Sequence, residues 1–189
     1  DVWEYWLKYP KIKEVTDFVT IHILPYWEDD PMEITTAIKH LANVRYEVEG
    51  ILKTSNILIG ETGWPSEGRM REDALPSKTN QAIFVREFVK LAEEKGWNYN
   101  IIEAFDQPWK RVSEGAVGGF WGLFDKDRLD KNVFTGDVSN FPNYKYLGFG
   151  SLLLIFGFSF LLKNSNISTK RLILFSFINT LFVVLYLFQ

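Results

Sequence analysis

The sequence predicts an α/β fold built on parallel strands, followed by two helices too apolar for a water-facing surface. Three observations carry this. Strand-like and helix-like segments alternate at intervals of about 40 residues, each strand-like segment ends in polar and aromatic residues, and the composition changes abruptly near Pro142. Consecutive strands joined through one helix form right-handed βαβ units, which make a parallel sheet. The chain of 189 residues carries a net charge of -3 and 16% aromatic residues, and this balance offers no basic surface for nucleic acid. Cys is absent, which removes disulfides, thiolate metal sites and cysteine nucleophiles. Two His with no metal-ligand spacing between them point to no metal and no cofactor.

Residues 17–24, DFVTIHIL, read as the first strand. Asp30-Pro31-Met32-Glu33 then offers an N-cap, a proline in the first turn and a glutamate at the third position. Behind it Ile34, Ile38, Leu41, Val44, Val48 and Ile51 keep helical spacing up to Lys53. Residues 57–66, ILIGETGWPS, form the second strand and its exit: a run apolar on both faces, as in a covered parallel sheet, ends in a single carboxylate. A second helix places Ile83, Phe84, Phe88, Leu91 and Ala92 on one side and stops at Gly96. Residues 99–105, YNIIEAF, read as the third strand, with Glu103 inside it.

The strand ends read Pro25-Tyr26-Trp27-Glu28, Glu61-Thr62-Gly63-Trp64 and Asp106-Gln107-Pro108-Trp109-Lys110. Parallel α/β folds place their sites at these C-terminal ends. Carboxylates set among Tyr and Trp suit a sugar site, because acids act at the anomeric carbon while aromatic faces stack on a pyranose. Tyr26 and Trp27 can either touch a sugar or pack beneath the rim, and Trp121 can be a stacking platform or core. His22, on a covered strand, reads as a core histidine rather than a base. A buried Glu103 requires a polar partner, and a network near Glu61 is expected to provide it.

Beyond Pro142, residues 147–162 and 172–188 are almost free of charge, about 16 and 17 residues long, near the lower end of what a hydrocarbon core of about 30 Å requires. They read as two transmembrane helices joined by the polar, basic segment 163–171. Lys163, Lys170 and Arg171 place that segment in the cytoplasm by the positive-inside rule, so the soluble part faces outward. Residues 1–141 and 142–189 are accordingly expected to be separate domains, with the lipid bilayer as one partner.

ILIGETGWPSEG resembles the nucleophile signature of glycoside hydrolase family 17, the β-1,3-glucanases. DFVTIHILPYWED resembles the sixth barrel strand of the bacterial branch, IIEAFDQPWK its eighth, and EGAVGGFWGLFDKDR the segment after it, so the resemblance covers residues 3–130. It implies strands six to eight of a (β/α)8 barrel, so the chain is expected to be the C-terminal part of the enzyme. Glu61 matches the nucleophile of a retaining glycosidase. Tyr26, Trp27, Trp64, Glu103, Asp106, Gln107, Trp109, Lys110 and Trp121 are the candidates for substrate binding. The family's general acid belongs to a Gly-Asn-Glu motif that this sequence lacks. Glu28, Glu67 and Glu103 lie nearby, but none occupies the matching place. The resemblance implies hydrolysis or transglycosylation of β-1,3-glucan at the periplasmic face of a bacterial inner membrane, with a glucosyltransferase as a partner in some members. Two other readings are a non-catalytic glucan-binding or scaffold module beside a glucan synthase, and a membrane hairpin carrying a vestigial domain.

Overall fold

Three parallel strands, β1 (Val19–His22), β2 (Ile57–Thr62) and β3 (Asn98–Ile101), lie in chain order in the computed structural model, which describes residues 2–162 and 168–187. The β1–β2 register runs Val19 to Ile57, Thr20 to Leu58 and Ile21 to Ile59. β3 joins the other side of β2 through Leu58 with Asn98 and Ile59 with Tyr99. Val2 pairs in parallel with His22 beyond the β1 edge. This pairing is followed by a short helix, α1 (Trp3–Lys8), and a 3-10 turn (Pro10–Val15). The indole of Trp6 in α1 donates to the Thr20 carbonyl at 2.7 Å, which ties that segment to the sheet.

The crossovers are α2 (Ile34–Leu52) and α3 (Lys78–Lys95). Ala37, Leu41, Val44 and Val48 from α2 and Phe84, Phe88 and Ala92 from α3 bury against Ile21 and Ile59 of the strands. Each such large side chain removed from water contributes about 1.5–3 kcal/mol. Lys53 and Gly96 end the two helices in the left-handed region, with φ of 50° and 65°. At Gly96 the missing Cβ makes this conformation easy.

Several sequence expectations shift here. The first helix begins at Ile34 and has Glu33 at its N-cap without a side-chain bond. Asp30 does not cap it, because the Met32 amide donates back to Pro25 O at 3.0 Å and holds residues 30–33 as a loop. Leu52 is buried in place of Ile51, which is exposed, and Ile83 also faces water. The third strand stops at Ile101, so Glu103 stands beyond it. The chain then makes a 3-10 turn (Pro108–Lys110) and a single helical turn, α4 (Arg111–Glu114), and returns along the strand ends. Ser66 N donates to Phe120 O at 2.8 Å and Gln81 Nε2 to Gly122 O at 3.1 Å, fixing this returning segment.

The chain divides into two units, Asp1–Asn140 and Phe141–Gln189. The second holds α5 (Tyr144–Leu162) and α6 (Thr169–Leu187), at the places expected for spans 147–162 and 172–188. Among the described residues, no helix is long and apolar enough to cross a membrane, so the two transmembrane helices are not confirmed. The first turn of α5 carries Lys145, and that of α6 carries Lys170 and Arg171. Residues 163–167 of the expected hairpin loop and Phe188 lie outside the described residues.

Candidate active site

Strict alternation along β2 would turn Glu61 toward the helices with Ile57 and Ile59. The register shows why it does not. Ile21 faces Ile59, but the next residue, His22, faces Glu61, so Gly60 is an extra residue in a bulge. The bulge re-aims the Glu61 carboxylate to the face opposite the helices, while Thr62 returns to the buried side. Glycine suits the bulge, since a Cβ at position 60 would push Thr20 Cγ2 aside and crowd the His22 ring. The Ile23 amide donates to Glu61 O at 3.0 Å and fixes the backbone beside the carboxylate. Glu61 Oε2 lies 3.3 Å from His22 Nδ1, and the Glu61 side chain keeps 44% of its surface in solvent. Next along the chain, a Cβ at Gly63 would meet Ile102 O at 2.5 Å, so the exit of β2 passes close under the end of β3.

The carboxylates after β3 are held very differently. Glu103 Oε2 accepts from Gln107 Nε2 and from Lys110 Nζ, and its side chain is 14% exposed. The hydrogen bond from Lys110 to Glu103 holds the Lys110 pKa above its ordinary value, against partial burial and with smaller help from the charges of Glu103, Glu114 and Glu61. Asp106 accepts from Lys131 Nζ at 3.0 Å and from the Gly122 amide at 2.9 Å. Lys131 also donates to Ser66 Oγ and to Gly122 O. Burial raises the Asp106 pKa against the pull of Lys131, and burial lowers the Lys131 pKa against the pull of Asp106. This pair pins the returning segment to the end of β2 and is enclosed.

The aromatic residues divide in the same way. Tyr26, Trp64 and Trp121 are buried, and they form an edge-to-face cluster beneath the rim. Trp64 donates its indole N–H to Leu75 O at 3.0 Å. The Tyr26 hydroxyl donates to Arg69 O at 2.6 Å, and burial raises its pKa against the nearby Arg71 and Arg69. Trp27 lies over Trp121 with planes 15° apart and stays 40% exposed, with the Arg71 guanidinium 5.5 Å from its ring centre. Trp109 is open, at 67% exposure. Of the residues expected to touch substrate, Trp27, Trp109, Gln107 and Lys110 therefore reach solvent, whereas Tyr26, Trp64, Asp106 and Trp121 support them from inside.

Beside His22 opens a pocket of about 450 Å³, lined among others by Trp3, Lys8, Trp27, Glu28 and Asp29. Glu28 is taken up by His40 of α2, whose Nε2 lies 2.5 Å from Oε2, while Glu67 is exposed. Among the described residues no group of His, Asp and Glu side chains is placed to hold a metal ion. Sequence reasoning sets His22 aside as core and does not single out His40, Arg71 or Lys131. The local signal for His22 is its place near the end of a covered run; the other three act on partners 12 to 45 residues away.

Residues 1–122 match the family model described as the BtgE/BtgC glycoside hydrolase domain. The chain belongs to this family. A glucan 1,3-beta-glucosidase of Saccharomyces cerevisiae is 30% identical over 118 residues, 59% of this chain and 37% of that protein. The probable beta-glucosidase btgE of Aspergillus fumigatus is 32% identical over 111 residues, 59% of this chain and 19% of that protein. This BtgE/BtgC-type chain thus spans well under half the length of these relatives. Among solved structures, the glycoside hydrolase family 17 beta-1,3-glucanosyltransferase of Rhizomucor miehei aligns with a TM-score of 0.63 at 26% identity, over 73% of this chain and 49% of that one. An active-site mutant of the same enzyme in complex with laminaritriose gives the same TM-score at 25% identity. Family and fold both agree with the resemblance that the ILIGETGWPSEG signature carries.

Proposed function

We propose that the chain carries the nucleophile of a retaining β-1,3-glucan glycosidase or transglycosylase. The observation behind this is Glu61: a glycine bulge turns the carboxylate of a covered strand into the open, within reach of His22. Strands β1 to β3 are then strands six to eight of a (β/α)8 barrel, whose active sites gather at the C-terminal strand ends. Ionised Glu61 attacks the anomeric carbon, a carboxylic acid protonates the departing glycosidic oxygen, and a covalent glycosyl-enzyme forms. Water or a sugar hydroxyl then attacks the same carbon, giving hydrolysis or transglycosylation, and its proton returns to the acid's conjugate base. Retaining geometry puts the two carboxyl groups about 5–5.5 Å apart. Glu28 and Glu103 are held by His40 and by Gln107 with Lys110, and Glu67 is exposed on the loop, so the reading assigns the acid to none of them.

Trp27 and Trp109 offer open ring faces for glucosyl units, and the half-buried Gln107 and Lys110, which also hold Glu103, offer polar contacts beside them. The laminaritriose bound by the Rhizomucor miehei relative supports a β-1,3-glucan ligand. Membrane anchoring belongs to the same reading. Phe149, Leu154, Phe156, Phe160, Phe177 and Phe182 lie 64–76% exposed on α5 and α6, an apolar surface suited to lipid. With Lys163, Lys170 and Arg171 in the cytoplasm, Glu61 works on the periplasmic side of a bacterial inner membrane, where a glucosyltransferase is a fitting partner.

Two experiments test this. Placed in a complete barrel, Glu61→Gln lowers turnover of β-1,3-glucan by about three orders of magnitude and leaves glucan binding nearly unchanged. More than about a tenth of wild-type turnover would count against the nucleophile. A reporter active only in the periplasm stays silent when fused at Asn166 and works when fused ahead of Tyr144; the reverse pattern would overturn the orientation.

A further inference from the structure

The turn that carries Trp27 is held from behind by the contact of Glu28 with His40. Trp27 N and Glu28 N both donate to Leu24 O, at 2.7 and 3.2 Å, so the two residues move as one tight turn. From this turn Glu28 reaches α2, where its Oε2 meets His40 Nε2, and its side chain is only 12% exposed. The second oxygen, Oε1, is buried and has no hydrogen-bond partner among the described residues. A carboxylate so enclosed is tolerated when a cation neutralises it, and it is driven outward when the cation is lost. Among the described residues, the group paired with it that becomes cationic on protonation is the His40 ring. The groups whose charge bears on His40 are Glu28 of the turn and Glu4 of α1, both carboxylates, and both favour the imidazolium. The pocket beside the turn, into whose wall Glu28 and Glu4 are built, gives a released Glu28 somewhere to go.

We propose that His40 is a positioning residue for the Trp27 face of the site: as imidazolium it latches Glu28 inside and keeps Trp27 over Trp121, and as neutral imidazole it lets the turn swing into the pocket. This rests on the proposed sugar-binding role of Trp27 for its consequence, and on the turn's own geometry for its truth. The hydrogen bond to Glu28 raises the His40 pKa, against the lowering effect of burial, so the latch is closed in acid. The sign follows from linkage. The native value stands above the ordinary 6.5, so the latch contributes fully below about pH 6.5 and opens as pH rises through the raised native value.

The test uses the full chain in detergent, labelled with 5-fluorotryptophan and free of sugar, so that its outcome does not depend on glucan binding. The Trp27 fluorine resonance, assigned through Trp27→Phe, is expected to shift with pH at the same midpoint as the His40 ring protons. In His40→Gln that shift disappears, and in Glu28→Gln the His40 midpoint falls by about one pH unit or more. A Trp27 resonance that stays fixed from pH 5 to pH 9, or that moves identically in His40→Gln, would overturn the latch. Should His40→Gln not fold, the Glu28→Gln midpoint decides alone: a fall supports the latch and an unchanged value refutes it. Laminaritriose titrated at pH 6 and pH 9 into the chain placed in a complete barrel then separates the two proposals. Binding about tenfold weaker at pH 9 extends the latch to the site, whereas no binding at either pH refutes the sugar role of Trp27 and leaves the latch to stand or fall on the fluorine and ring-proton shifts.

Discussion

The ends of β2 and β3 lie side by side and both present carboxylates, yet they treat them in opposite ways. At β2, the close polar contact of the Glu61 carboxylate among the described residues is His22 at 3.3 Å, and nearly half its side chain is in water. At β3, Glu103 and Asp106 each have two protein donors and side chains at most 14% exposed. A carboxylate that must attack a sugar has to stay ionised, reachable and unburdened by strong bonds. One that must hold a loop needs the reverse. Acidic residues clustered at strand ends are therefore not equivalent candidates: on the proposed reading the loosely held carboxylate reacts and the tightly held ones support it.

The sharpest way to break this comparison is at Asp106. Lys131→Met leaves that carboxylate enclosed without its cation, with an expected loss of about 3–5 kcal/mol in urea unfolding. A loss under about 1 kcal/mol would mean that the β3 end is as loosely held as the β2 end. Next in size is Gly60→Ala. Its new methyl group meets Thr20 and His22 and strains the bulge, at about 1–3 kcal/mol, and it displaces Glu61 from His22. An unchanged His22 environment in the variant, read by ring-proton NMR, would argue that the bulge does not aim Glu61.

Much of this division is hidden in the sequence, for physical reasons. Helical spacing reveals α2 and α3, because one face of each is covered and apolar, and apolar runs reveal β1 and β2. The same periodicity misleads at Ile51 and Ile83, since apolar residues at the edge of a helical stripe need not be covered by the sheet. The carboxylate at the end of ILIGE is legible, but its outward turn is not, because a bulge shows only in the partner strand's register. From sequence alone Tyr26 and Trp121 can be either rim or core, and Trp64 reads as a substrate contact from its place after β2. Tyr26 and Trp64 are tied to loop 69–75, and segment 117–122 folds back to bring Trp121 against Tyr26, both long-range events. The Asp106–Lys131 pair spans 25 residues and leaves no local pattern.

The smallest expected effect sharpens the Glu103 side. Glu103→Gln removes the charge that holds Lys110, at about 1–2 kcal/mol near pH 7. Lys110 gains its partner only in the native fold, so its contribution is full below the ordinary 10.5 and is lost as pH rises through the raised native value. The stability gap between wild type and Glu103→Gln therefore narrows above about pH 10.5. A gap that stays constant would remove Lys110 from the account. Glu61→Gln, by contrast, changes stability by less than about 0.5 kcal/mol, as befits a group with little to hold.

The most direct test of the central claim, that Glu61 is the reacting carboxylate and its neighbours are supports, is covalent trapping. A 2-deoxy-2-fluoroglucosyl donor with a dinitrophenolate leaving group departs without protonation, so the nucleophile is read without help from the general acid. Incubate it with the chain placed in a complete barrel, digest, and locate the added sugar by mass spectrometry. The account predicts a single fluoroglucosyl ester on the peptide containing Glu61 and none in Glu61→Gln. A label on Glu28, Glu67, Glu103 or Asp106, or equal labelling of the Glu61→Gln chain, would contradict it.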